Sequence, residues 1–182
     1  MSFGIGGFAS VEAVEIEVYT SAYLVTGAVH TPFRRVSDIL NQLPSGHLMM
    51  ERASIREHAR DEEGAAVGTA VVSLDEICAI VAPGVAGEPR AEMRIARQSV
   101  PATLVIPPLR LEGTLYVPIG TDPIVGLLNL AERFVTMTDV VLSSATHPWL
   151  GREIPALAVR RARAHVMALR AADEESDPSD GG

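Results

Sequence analysis

Lysine is absent from the 182-residue chain: all fifteen basic side chains are arginine. The base composition of a GC-rich genome accounts for that as simply as any function does. Cysteine is nearly absent. The single thiol, Cys78, cannot close an internal disulfide and has no second thiol with which to build a metal cluster. It lies in the apolar run Ile77-Cys78-Ala79-Ile80-Val81. A buried, inert position is expected there, because reactive thiols need an electropositive and partly exposed setting. Aromatic residues make up only 4% of the chain, few for a platform on which single-stranded bases stack. No apolar run approaches the ~20 residues that span a bilayer. Met1-Ser2-Phe3-Gly4 lacks the basic and apolar regions of a secretory signal. These absences point to a cytoplasmic protein with no membrane role.

What is present supports a packed core. Hydrophobic residues are 47% and charged residues 21%, which excludes disorder of the whole chain. The formal net charge of −8 argues against a broad positive face for nucleic acid. Five of those charges belong to Asp173, Glu174, Glu175, Asp177 and Asp180, in a stretch with no basic residue, which leaves −3 elsewhere. The acidity therefore counts only weakly against an anionic partner. Residues 171–182 read as an acidic disordered tail. Residues 1–10 read as a flexible leader, because no strand precedes their Gly-x-Gly-Gly stretch to make a nucleotide loop.

Between the ends the pattern is that of short strands. Val14, Ile16 and Val18 alternate with Glu15, Glu17 and Tyr19, a half-buried strand with a charged outer face. Thr20-Ser21 offers a turn, and a second strand follows with Gly27 inside it, where a bulge is expected. Ser37 to Asn41 reads as a short helical turn, His47 to Glu57 as a third strand, and the charged segment Ala59 to Gly68 as a loop. Thr69 to Ala82 holds one or two further strands.

The same order then begins again. Tyr23–Pro32 lies opposite Leu109–Pro118 at a constant offset of 86, with Gly27 matching Gly113 and Pro32 matching Pro118. Ile39-Leu40-Asn41 meets Leu127-Leu128-Asn129, His47–Met50 meets Phe134–Met137, and Ile77–Ile80 is set against Val166–Leu169. An internal duplication explains anchors that recur in order. The expected layout is a leader (1–10), a first copy (11–84), a connector (85–97), a second copy (98–170) and the tail (171–182). Each copy is near the size at which a core is marginal, so the two are expected to pack together.

Each copy resembles the Sm-like barrel: a strand, a turn, a strand with a bulge glycine, a helical segment ending in Asn, then closing strands. The segments Val36–Asn41 and Phe134–Asp139 further resemble an uncharacterised bacterial domain family, a domain of unknown function with Ser-Asp-Leu-Leu-Asn-like turns and Thr-Asp-containing strands. The first copy departs at Glu51-Arg52 and the second at Asp122–Gly126. The fold expected from this likeness is mainly β: two tandem Sm-like or SH3-like small β-barrels packed as a pseudo-dimer, with short helical turns. The family carries no known activity.

Candidate binding residues are few. Asn41 and Asn129 end corresponding segments, and in nucleic-acid-binding Sm-like proteins an Asn near this point contacts a base. The plainer reading is that each ends its helical turn in the left-handed region. Arg160, Arg161 and Arg163 form the one dense basic patch. It reads as an anion site, as a contact for an acidic surface or the acidic tail, or as a solvated face. The matching segment of the first copy, Ser73-Leu74-Asp75-Glu76, is acidic and repels phosphate. Trp149, in a loop of the second copy, reads as a partner anchor or as a cover for the barrel end. His30, His47, His58, His147 and His165 form no ligand spacing and read as surface or strand-edge side chains. Ser37-Asp38 has no nucleophile elbow around it. The sequence points to no enzyme, cofactor or metal. It points instead to a non-catalytic binding or assembly module: a homo-oligomer joined through strand edges, with a possible protein partner. The alternative is an RNA- or nucleotide-binding protein that uses the arginine patch.

Overall fold

The computed structural model describes residues 11–32, 36–60, 62–83 and 96–169. The leader, the tail and most of the connector lie outside the described residues. The chain is mainly β and divides into two compact units, Met1–Gly87 and Glu88–Gly182.

In the first unit, β1 (Glu12–Tyr19) buries Ile16 and Val18 while Glu15 points outward, the expected alternation of period two. It pairs antiparallel with β2 (Tyr23–Thr31). The turn between them is held by Thr20, whose hydroxyl accepts the Tyr23 N–H at 2.9 Å and the Ala22 N–H at 3.3 Å. After β2 the short helix α1 (Val36–Asn41) buries Ile39 and Leu40. β3 (His47–Glu57) pairs with β2 and with β4 (Ala65–Ser73), and β5 (Ala79–Val81) returns to the far side of β1. The strand order is β5-β1-β2-β3-β4.

The second unit repeats this plan with β6 (Arg97–Ile106), β7 (Leu109–Pro118), α2 (Pro123–Leu128), β8 (Phe134–Ser143), β9 (Arg152–Arg160) and β10 (Val166–Leu169). Its order is β10-β6-β7-β8-β9. Two 3₁₀ turns, η1 (Pro148–Leu150) and η2 (Arg161–Arg163), lie on either side of β9. Its core is apolar and tightly enclosed: Leu104, Leu109, Leu111, Phe134, Met137 and Leu142 are each 1% exposed or less.

The two units also share an irregularity. Opposite Gly27 the β2–β3 register slips, and Arg52 takes φ 50°. Opposite Gly113 the β7–β8 register slips in the same place, and Asp139 takes φ 53°. In each third strand one extra residue is looped out as a β-bulge. The burial parity flips accordingly, from Leu48 and Met50 to Ala53, and from Val135 and Met137 to Val140 and Leu142. Glycine is required opposite the bulge because a Cβ on Gly27 would lie 2.8 Å from the Glu51 carbonyl oxygen, and one on Gly113 would lie 2.8 Å from that of Thr138.

Several expectations change. The segment expected to remain loop up to Gly68 is strand from Ala65 onward. Gly68 itself sits inside β4 at φ 77°, a conformation open to glycine, and the ladder to β3 shifts register around its partner Ala53. The last strands match at an offset of 87, since Ile80 pairs with Val18 and Met167 pairs with the equivalent Leu104. This replaces the match of Ile77–Ile80 to Val166–Leu169. Each unit's sheet is open: no ladder joins β4 to β5, or β9 to β10. The barrel closure expected of each copy is therefore not made by strand pairing among the described residues.

Candidate binding surfaces

Of the candidate binding residues, four fall into one cluster, and Asn41 and Trp149 stand apart. The cluster is at the C-terminal end of α2. This helix starts with Pro123 at its first turn, and Asp122 caps it by accepting the Ile124 and Val125 N–H groups at 3.0 and 3.1 Å. At the other end the Arg161 guanidinium donates from Nη1 to the Leu127 and Leu128 carbonyl oxygens at 2.5 and 3.0 Å. A cation at that end satisfies orphan carbonyls and complements the partial negative charge of the helix terminus. Arg160, at the end of β9, stacks its guanidinium over the Phe134 ring 5.8 Å from the centroid. Arg163 closes η2 and is half-buried.

Asn129 is the exposed residue immediately after the helix, at φ −92°, with its N–H bonded to the Leu127 and Val125 carbonyls. It does not take the left-handed conformation expected of it, and neither does Asn41. Among the described residues only Arg52 and Asp139 combine a side chain with positive φ. The two asparagines are also not equivalent. Both helices have six residues and bury one matching leucine, Leu40 at 1% and Leu127 at 2% exposure. That places Asn41 opposite Leu128, with Asn129 one step further on. Asn41, half-buried at the end of α1, stands in the unit whose fourth-to-fifth-strand turn is the acidic Ser73–Glu76.

Trp149 sits in η1, partly exposed, followed by the buried Leu150. His58 overturns its surface assignment. It is 1% exposed, its Nε2 lies 3.0 Å from the Thr20 carbonyl oxygen, and its backbone N–H bonds the Ala22 carbonyl. It thereby fastens the β1–β2 turn to the end of β3. Cys78 is fully buried, as its apolar setting implied.

Sequence reading missed the exposed apolar surfaces. On and before α2, Ile119, Ile124, Val125 and Leu128 are 49–59% exposed. The signal was the uncharged hexapeptide Pro-Ile-Val-Gly-Leu-Leu, which has no polar face to offer water. A six-residue helix cannot bury four apolar side chains on one side. In the first unit the cross-strand neighbours Met49 and Val71 are both more than 60% exposed on the same face.

A shallow depression of about 250 Å³ lies on the first unit, lined by Glu15, Glu17, Thr26, Gly27, Arg52 and Pro83. Arg52 spans it in an ion pair with Glu15, both largely exposed. The volume is below the ~300 Å³ at which small-molecule pockets begin, and its one cation is already paired with Glu15. Among the described residues no three His, Cys, Asp or Glu side chains gather as a metal site, and no helix is long and apolar enough to cross a membrane. Comparison with protein-family models, with curated proteins and with solved structures finds no match for this chain.

Proposed function

We propose that the protein is a non-catalytic binding and assembly module. In this reading it oligomerises through β-strand edges and recognises a protein partner, and each unit is a variant of the Sm-like small barrel. The observation that carries the proposal is that, among the described residues, β4 and β10 each have a ladder on one side only. An open sheet ends in strands with a row of unpaired backbone N–H and C=O groups, and proteins cover such edges or defend them. The α2 surface supports the partner half: Ile124, Val125 and Leu128 form an uncharged helical face next to an arginine-bearing turn. Apolar anchors beside arginine are the composition of protein-recognition patches.

The alternative, binding of RNA or a nucleotide through Arg160, Arg161, Arg163 and the asparagines, loses support from the spending of Arg161 on helix carbonyls. Light scattering combined with the 260/280 absorbance ratio on freshly purified protein tests both readings. The expected result is a mass above that of one chain with the absorbance of plain protein. A strict monomer at every concentration overturns the assembly reading. A raised ratio that collapses with salt, together with oligonucleotide binding, replaces it with the alternative.

A further inference from the structure

The duplication allows each strand to be compared with its counterpart, and the comparison is uneven. The ladders Met49–Val71 and Thr136–Ala158 make Val71 of β4 equivalent to Ala158 of β9, and the ladders Glu51–Thr69 and Thr138–Ala156 make Thr69 equivalent to Ala156. Ala158 is 1% exposed and Ala156 half-buried, whereas Val71 is 62% exposed and Thr69 is exposed too. The fifth strands show the reverse. Ala79 of β5 is fully buried, while its equivalent on β10, Val166, is 53% exposed. Val81 is 5% exposed, while Ala168 is open to solvent. One chain thus holds a fourth and a fifth strand with their apolar residues out of water, and an unlike fourth and fifth strand with theirs in it.

The two exposed strands also lack the charges and prolines that guard many solvent edges. β4 reads Ala-Ala-Val-Gly-Thr-Ala-Val-Val-Ser and β10 reads Val-Met-Ala-Leu, with no charge and no proline in either. Among the described residues each has a ladder on one side only, β4 to β3 and β10 to β6. Natural edges left in water carry charged residues, proline or bulges that turn them away. β4 has only the Gly68 irregularity, and β10 is four residues long.

We infer that β4 of one chain pairs edge to edge with β10 of a second copy. Every chain carries both strands, so the two are always present in equal number, and each offers the uncharged edge that the other lacks. The contact is heterologous, because unlike strands meet. It leaves each chain with one strand still to be covered, so the assembly either closes as a ring or extends as a filament. This rests on the assembly reading above and names its partner as the chain itself.

The test uses the full chain with Val71→Lys, which guards β4, and Ala168→Lys, which guards β10. Both sites are exposed, so the circular dichroism spectrum of each variant should keep the strand signature of the unmodified protein, and its melting midpoint should fall only by what the lost association contributes. Light scattering should give a multiple of the chain mass for the unmodified protein and a single chain for each variant. An equimolar mixture of the two variants should give a complex of two chains and nothing larger, because one intact β4 and one intact β10 remain. A monomeric unmodified protein overturns both this inference and the assembly reading. Oligomers that survive in both variants overturn the strand pair alone and leave the assembly reading standing. An Ala168→Lys protein that dimerises on its own shows β4 meeting β4, which also refutes the pair. If either lysine variant misfolds, the double variant Val71→Cys/Ala168→Cys decides: oxidation should produce a ladder of covalent multimers, and covalent monomers alone refute the pairing.

Discussion

Replacing Gly27 by alanine probes the bulge on which both units are built. The new methyl carbon would lie 2.8 Å from the Glu51 carbonyl oxygen and 3.2 Å from the Ala53 Cα. Ordinary carbon–oxygen approaches in sheets are about 3.3–3.6 Å, so the overlap is about half an ångström. Both obstacles are backbone atoms of β3, which is held on its other side by the ladder to β4, so neither can rotate away as a side chain would. Overpacking of this kind costs about 1–3 kcal/mol. The stiffer unfolded chain returns about 0.4–1 kcal/mol, which leaves a net loss of about 1–2 kcal/mol. At about 4–8 °C per kcal/mol for a domain of this size, the melting midpoint should fall by about 5–15 °C. Gly46→Ala is the control: nothing lies within 4 Å of its added carbon, so only the unfolded-state gain remains, and the midpoint should hold or rise slightly. Gly113→Ala should repeat the loss in the second unit, against Thr138 at 2.8 Å and Val140 at 3.0 Å. Thermal unfolding followed by far-ultraviolet circular dichroism measures all three. Superimposable melts for Gly27→Ala, Gly46→Ala and the unmodified protein would refute the reasoning.

Two further outcomes follow from side chains whose surroundings are equally explicit. Asp122→Ala removes the cap of α2 and should cost about 0.5–2 kcal/mol; Arg161→Ala removes two charge-assisted bonds from the other end and should cost roughly 1–3 kcal/mol. Both should appear as lower urea midpoints at unchanged slope, whereas an unshifted midpoint for Arg161→Ala would mean that its guanidinium is not holding the helix. The Cys78 thiol, fully enclosed, should be silent to Ellman's reagent in the folded protein and give one equivalent in guanidinium; rapid reaction of the native protein would contradict its burial.

Much of the strand plan was legible because alternation is a direct record of which side meets the core. The third strand runs from His47 to Glu57 as its pattern implied, and both bulges stand at the glycines that the 86-residue offset had paired. The parity change from Leu48 and Met50 to Ala53 was present in the sequence as well, and read together with Gly27 it marks where the extra residue enters. Other features depend on long-range contact and leave little local trace. Gly68 looked like a loop glycine, because the ladder that turns it into strand belongs to β3. His58 looked like surface, because the Thr20 carbonyl that receives it is 38 residues away. The asparagines looked equivalent because they share a local motif, but the buried leucines set the frame of the helices and separate them. Of the candidate site, the arginines and Asn129 do come together. The chemistry expected of Arg161 is instead spent inside the fold, on carbonyls that no sequence pattern announces.

The bulges separate two kinds of instruction. Arg52 and Asp139 occupy the same left-handed backbone position in their units, yet their side chains carry opposite charge and both face water. The geometry there is dictated by the strand opposite, where a glycine leaves room, and is the same whether the looped-out residue is basic or acidic. Each unit therefore has a fixed mounting point with an interchangeable fitting. Exchanging Arg52 and Asp139 would transpose the charge pattern of the two faces while leaving every register in place. A tandem repeat with such points can diversify what it displays without renegotiating how it folds.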